Sequence, residues 1–206
     1  MNRSAMHSRT RILLSMFAAG LLPLTSSGCG SSGPPTERPP LEGTKIGGPF
    51  TLKDRNGTVV RWDDFAGKYR AVYFGYAFCP DVCPLDVQAM MQGYARFARD
   101  QPDRASRLQP IFITIDPERD TQAVVGEFAA AFSPRLIGLT GTREQIDAAA
   151  KNFAVYHARG KDTSGGYLMD HSRIAFLMGP KGEPIAMLPV DKGAEAVAAE
   201  LAKWVK

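Results

Sequence analysis

Cys79 and Cys83 stand four positions apart in YFGYAFCPDVCPLDV, residues 73–87, and a proline follows each at once. Two thiols this close either exchange electrons with each other or hold something between them. The spacing is one residue longer than the Cys-x-x-Cys of dithiol exchange, and it suits a disulfide or a chelate equally. Two soft thiolates select Cu(I), zinc or iron–sulfur. An iron–sulfur cluster would lack ligands here, and a structural zinc takes four. A further donor has to come from elsewhere, and the chain has three histidines. His7 lies in the N-terminal leader, and His157, in VYHARGKD, reads as a solvated loop residue. His171, in YLMDHSRIAF, precedes an apolar strand, where a lone histidine is by default structural. In the fold argued below that strand begins beside the thiol loop, and Asp170 is placed to orient the imidazole. Two thiolates and one imidazole form a three-coordinate soft site that fits Cu(I) and, with an added ligand, Cu(II).

The elements that must position these residues alternate between strands and helices. FTLKDRNGTVVRW holds two short strand-like runs around Asn56-Gly57, a hairpin signal. RAVYFGYA is a buried-type strand ending where Cys79 begins. PLDVQAMMQGYARFARD places Val87, Met90, Met91, Tyr94 and Phe97 at helical spacing. Pro84 is expected as the first residue of that helix, because it cannot donate the bond of a helix running through Pro80. The helix would then aim its amide groups at Cys83 and favour thiolate. LQPIFITID is a second buried strand. TQAVVGEFAAAF is a helix capped by Asp120 or Thr121, and RLIGLTG reads as a short strand. TREQIDAAAKNF opens with a Thr142–Gln145 capping box. SRIAFLMGPKGEPIAMLPV reads as strand, turn and strand, with Met178 and Met187 filling the core, and GAEAVAAELAKWVK closes as a helix. DPERDT, with Asp116, Glu118 and Asp120, reads as a turn and helix cap rather than a hard-cation site. The order argues for an α/β, thioredoxin-like fold with an N-terminal β-hairpin extension. A flavodoxin-like sheet is disfavoured by the terminal strand pair, and the thiols sit at the carboxyl end of a core strand, where α/β sheets gather ligands.

Composition narrows the function classes. The chain of 206 residues carries 25 Lys and Arg against 21 Asp and Glu. Setting aside Arg3, Arg9 and Arg11 leaves 22 against 21, so no basic stripe suggests a nucleic-acid partner. Residues 1–29 have the order of a secretory signal: basic MNRSAMHSRTR, apolar ILLSMFAAGLLPL, then small residues ending at Cys29. The SSGC ending resembles a bacterial lipobox, with Ser26 departing from its usual aliphatic residue, and makes Cys29 the expected lipidation site and membrane anchor; the alternative is an uncleaved anchor with Cys29 a bystander. Residues 30–48, GSSGPPTERPPLEGTKIGG, read as a flexible tether, and residues 49–206 as the domain. The expected location is the bacterial cell envelope, with the domain in the periplasm. There a thiol pair tends to oxidise unless something reduces or ligates it.

YFGYAFCPDVCP, ITIDPERDT, FSPRLIGLTGT and DHSRIAFLMGPKG together resemble the Sco/SenC family of copper-binding proteins for cytochrome c oxidase assembly. The resemblance spans most of Pro49 to Pro189. It implies a thioredoxin-like fold with Cys79, Cys83 and His171 as ligands of one copper, Cu(I) or Cu(II), per chain. It implies delivery of copper to the CuA centre of cytochrome c oxidase subunit II, with other periplasmic copper chaperones or thiol reductants as further partners. The alternative it carries is a thiol–disulfide oxidoreductase in which Cys79 and Cys83 keep the CuA-site cysteines reduced; a thiol peroxidase shares the fold but expects another loop signature. Turnover in the enzymatic sense is not implied. Phe78 stands where many members carry a histidine. Met169, beside His171, is a further candidate thioether.

Overall fold

The computed structural model describes residues 37–163 and 166–206. The expected signal segment, Cys29 and the first part of the expected tether lie outside the described residues. Among those described, no helix is long and apolar enough to cross a membrane.

The described residues form nine strands and five α-helices. β1 (Thr51–Lys53) and β2 (Val59–Arg61) make the N-terminal hairpin around Asn56-Gly57, and Asp54 Oδ1 closes its turn by accepting from the Asn56 and Thr58 amides. β3 (Tyr69–Gly75), α1 (Val82–Asp100), α2 (Pro102–Ser106), β4 (Leu108–Thr114), α3 (Gln122–Phe132), β5 (Ile137–Leu139) and α4 (Arg143–Asn152) follow. β6 (His157–Thr163) and β7 (Gly166–His171) form a second hairpin, before β8 (Ala175–Met178), β9 (Pro184–Leu188) and α5 (Ala194–Trp204).

The main sheet runs β5-β4-β3-β8-β9. β3, β4 and β5 are parallel; β8 pairs antiparallel with β3, and β9 antiparallel with β8. This is the expected thioredoxin-like arrangement. β3 and β4 are buried throughout, which is why they read as near-continuous apolar runs. Strand alternation splits their side chains between two faces. Tyr73 and Phe112, paired in register, stack on one face, where Phe128 of α3 covers Phe112. Phe74 and Phe176 meet Phe153 at the end of α4, which in turn packs edge-on against Trp62. Each aromatic pair adds about 0.5–1.5 kcal/mol beyond its buried area. α1 turns Cys83, Asp86, Val87, Met90, Met91, Tyr94 and Phe97 inward. Its Gly93 lets α5 approach, since a Cβ there would lie 2.6 Å from Val197 Cβ. The Thr142–Gln145 capping box is present, and Thr121 rather than Asp120 caps α3.

Four expectations are corrected. The compact unit begins at Glu37, not Pro49. Leu41 is buried in the core, its amide donates to the Ile185 carbonyl, and the Gly47 amide donates to Asn152, so residues 37–48 are packed chain rather than free tether. α1 starts at Val82, two residues before Pro84. A proline fits inside the first turn because its missing N–H would have no intrahelical partner there. His157 sits in β6, not in a loop. Met178 is buried as expected, but Met187 is exposed on β9.

Candidate metal centre

Cys79, Cys83 and His171 converge from three elements: the loop after β3, the first turn of α1 and the last residue of β7. Their Sγ atoms and ring nitrogen all lie within 4.8 Å of one another. Cys83 Sγ and His171 Nε2 are 3.2 Å apart, and both thiols are free. Gly75, at the end of β3, makes room for this. A Cβ on it would lie 3.1 Å from Cys83 Sγ and 2.8 Å from Tyr73 Cε1.

The start of α1 serves Cys79 rather than Cys83. The Cys83 N–H donates to Cys79 Sγ at 3.4 Å, so the sulfur takes one of the orphan donors of the helix N-terminus, while the Asp81 side chain makes no cap bond. The two thiols divide one proton unequally. A hydrogen bond from Cys83 pushes the Cys79 thiol well below its ordinary range against the cost of burial, with help from the Cys83 and Asp81 amides. That same bond, and then burial, push Cys83 up. Both shifts favour charge on Cys79 and the proton on Cys83. Charge on Cys79 reaches Tyr76 as well: burial first, then this charge, push its hydroxyl up to about 12 against a bond from the Met169 backbone.

His171 Nδ1 lies 2.9 Å from the Ser172 carbonyl. A carbonyl only accepts, so Nδ1 carries the proton and the Nε2 lone pair faces the thiols. Tyr76 packs edge-on against the ring, centroids 5.9 Å apart. Asp170 is exposed and, among the described residues, makes no polar contact with the imidazole. Neighbours in a strand point to opposite faces, so adjacency in sequence works against the expected contact. Met169 is buried beside them.

Beneath Cys83 lies a polar network that the sequence reading missed. Tyr73 Oη donates to Asp86 Oδ2 at 3.0 Å, and Arg173 grips the same carboxylate at 3.1 and 2.7 Å. Burial first, and the Asp86 carboxylate that accepts its hydrogen bond, push the Tyr73 hydroxyl up. Asp86 offered a signal: it is a carboxylate three residues after Cys83 on the apolar stripe of α1. The carboxylates of DPERDT are engaged by protein donors, Asp116 by Arg119 and Tyr167, and Asp120 by Ala77 and Thr114. That matches the reading of a turn rather than a cation site. Phe78 is exposed, with the Arg119 guanidinium 5.3 Å from its ring.

Two thiols and an unprotonated imidazole nitrogen, at a spread one ion can bridge, form a soft donor set at the carboxyl end of the central parallel strand of a thioredoxin-like domain. The SCO1/SenC family model matches residues 38–206, and the chain belongs to that family. Over 162 residues it is 39% identical to the human protein SCO1 homolog, mitochondrial, covering 78% of this chain and 53% of that protein. It is 43% identical over 137 residues to protein SenC of Rhodobacter capsulatus, covering 66% of this chain and 60% of the relative. The chain thus spans little more than half the length of these relatives. The structure of Bradyrhizobium japonicum ScoI with copper bound is similar at a TM-score of 0.69 and 34% identity, covering 77% of this chain and 99% of that one. Arabidopsis thaliana ScoI with copper bound is similar at 0.72 and 31%, covering 77% and 97%.

Proposed function

We propose that the protein is a copper metallochaperone that carries one copper ion per chain on Cys79, Cys83 and His171 and delivers it to the CuA centre of cytochrome c oxidase subunit II. The observation that carries this reading is the convergence of the three donors. A pure dithiol exchanger has no use for the imidazole nitrogen aimed at Cys83. The donors suit the cargo: two thiols that bind as thiolates and release their protons on loading, and His171 Nε2 as a lone pair. Structures of family members with copper bound support the same choice of metal. Delivery outside the cytoplasm, from a domain held at the bacterial envelope by a lipid on Cys29, completes the proposal and rests on the N-terminal sequence.

Thiol–disulfide exchange is the second reading, favoured by one observation. Cys79 is the more accessible cysteine and accepts the Cys83 amide, which favours its thiolate, as suits an attacking thiol. Titrating the reduced protein with Cu(I) against a competing chelator, beside His171→Ala, separates the two. One tightly held copper, clearly weakened in the variant, is expected of the chaperone. Weak binding indifferent to His171 leaves the exchanger.

A further inference from the structure

We propose that the turn Asp116–Asp120 is the positioning element of the site: Asp120 holds the loop that carries Cys79, and Arg119 holds the hairpin that ends in His171. The proposal builds on the three-donor site described above. Cys83 is fixed by α1, but the other two donors stand on segments that the main sheet does not hold. β3 ends at Gly75, and the last ladder-like bond there runs from the Ile115 amide to the Gly75 carbonyl. Beyond it the thiol loop needs another acceptor, and Asp120 supplies one. Its Oδ2 accepts from the Ala77 amide at 2.8 Å, two residues before Cys79, and from Thr114 Oγ1 at 2.6 Å. The Asp120 carbonyl accepts from Thr140 Oγ1 at 2.9 Å, which ties the turn to the end of β5. Asp120 is fully buried, and its Oδ1 has no partner among the described residues. Burying a carboxyl in this way is unfavourable unless the bonds it makes matter. Helix capping does not need it, because Thr121 performs that task.

Arg119 reaches the other arm. Its Nη1 donates to the Tyr167 carbonyl at 2.8 Å, and its guanidinium lies 3.7 Å over the Tyr167 ring. Its Nε donates to Asp116 Oδ2, while Asp116 Oδ1 accepts from Tyr167 Oη at 2.8 Å. Tyr167 is four residues before His171 on β7. The same guanidinium faces the rings of Phe78 and Tyr76 at 5.3 and 5.7 Å, in the thiol loop. One five-residue turn therefore touches both segments whose separation sets the distance between Cys79 and His171.

The test uses the full reduced protein with Asp120→Ala, Asp120→Asn and Arg119→Gln, read by amide hydrogen exchange without metal and by Cu(I) competition. Asp120→Ala is expected to speed exchange at Ala77 and to weaken Cu(I) binding about 10–100-fold, the usual effect of removing a group that orients a ligand. Asp120→Asn, which keeps an acceptor oxygen, recovers most of both. Arg119→Gln is expected to speed exchange along Tyr167–His171 and weaken Cu(I) while Ala77 stays protected. Val197→Ala in α5, a core change outside the brace, separates positioning from general loss of stability and leaves both readouts at wild-type values. The proposal is overturned if a folded Asp120→Ala keeps wild-type Ala77 protection and copper affinity, or if Val197→Ala weakens copper as strongly. Should Asp120→Ala not fold, Asp120→Asn and the partly exposed Arg119→Gln decide on the same readouts. If the wild type itself fails to hold Cu(I), the metal reading falls, and the exchange data alone still decide whether the turn braces the two arms.

Discussion

Replacing Arg173 with Ala tests whether the Asp86 pair belongs to the core or to the surface. Asp86 is 1% exposed and accepts three bonds, one from Tyr73 Oη and two from Arg173. The substitution removes both charge-assisted bonds and leaves a buried carboxylate with a single donor. Breaking a buried pair by deleting one partner costs about 3–5 kcal/mol. The Arg173 side chain is 46% exposed, however, so water reaches part of what it vacates. We therefore expect about 2–3 kcal/mol, below the fully buried figure and above the roughly 0–1 kcal/mol of a surface pair. At about 2–4 °C per kcal/mol for a domain of this size, the melting temperature should fall by roughly 4–12 °C. The assay is urea unfolding of the reduced, metal-free protein, with Asp86→Asn and the double variant completing a cycle. The cycle should show a coupling of at least about 1 kcal/mol between the partners. A loss under about 0.5 kcal/mol for Arg173→Ala would refute the reasoning and class the pair with ordinary surface ion pairs.

Three further outcomes follow from the same geometry. Gly75→Ala drives a Cβ into Cys83 Sγ and Tyr73 in a fully buried strand; overpacking of this kind costs about 1–3 kcal/mol, and a melting temperature equal to wild type would show that the strand yields freely. Leu41→Ala should cost about 2 kcal/mol, at the lower edge for a buried leucine, because Leu41 sits in the core at 8% exposure; no change in urea midpoint would return residues 37–48 to the status of a tether. Burial, opposed by Asp147 and reinforced by Arg143, pushes the His157 imidazole below its ordinary value. The folded chain then takes up this proton less readily than the unfolded chain, so the contribution is complete above the unfolded value of about 6.5 and is lost as pH falls from there through the lower folded value. Wild type should lose stability relative to His157→Asn between about pH 7 and 5, and parallel pH profiles would sink the argument.

The parts of the fold that the sequence made legible are those whose environment is uniform. β3 and β4 are buried on both faces and read as apolar runs, and the α4 capping box is local chemistry. The β6–β7 hairpin is the opposite case. HARGKDT carries no alternating pattern, and its pairing with GYLMDH is assisted by tertiary contacts, above all Arg119 against Tyr167, that no local rule contains. The site divides in the same way. Cys79, Cys83 and His171 were legible because their donor types have few bland uses together. The failure of Asp170 follows from strand alternation once β7 is known to reach His171. Asp86 was visible as a charge on an apolar stripe, whereas Asp120 was hidden because a carboxylate next to a helix start looks like a cap.

The misplaced start of α1 bears directly on the chemistry. Pro84 was expected at the first helical position, but any of the first four amides of a helix lacks an internal partner, so a proline two residues further in costs nothing there. Starting at Val82 makes Cys83 part of the first turn, and its orphan amide finds an acceptor four residues back, in Cys79 Sγ. The Cys-x-x-x-Cys spacing thus lets one cysteine serve the helix that holds the other. Negative charge on Cys79 is favoured at that helix end, as an anion is at any helix N-terminus. Joining the sulfurs in a disulfide would remove the charge and weaken the acceptor. The start of α1 therefore favours the reduced pair, the state in which both sulfurs and His171 can close on one soft ion.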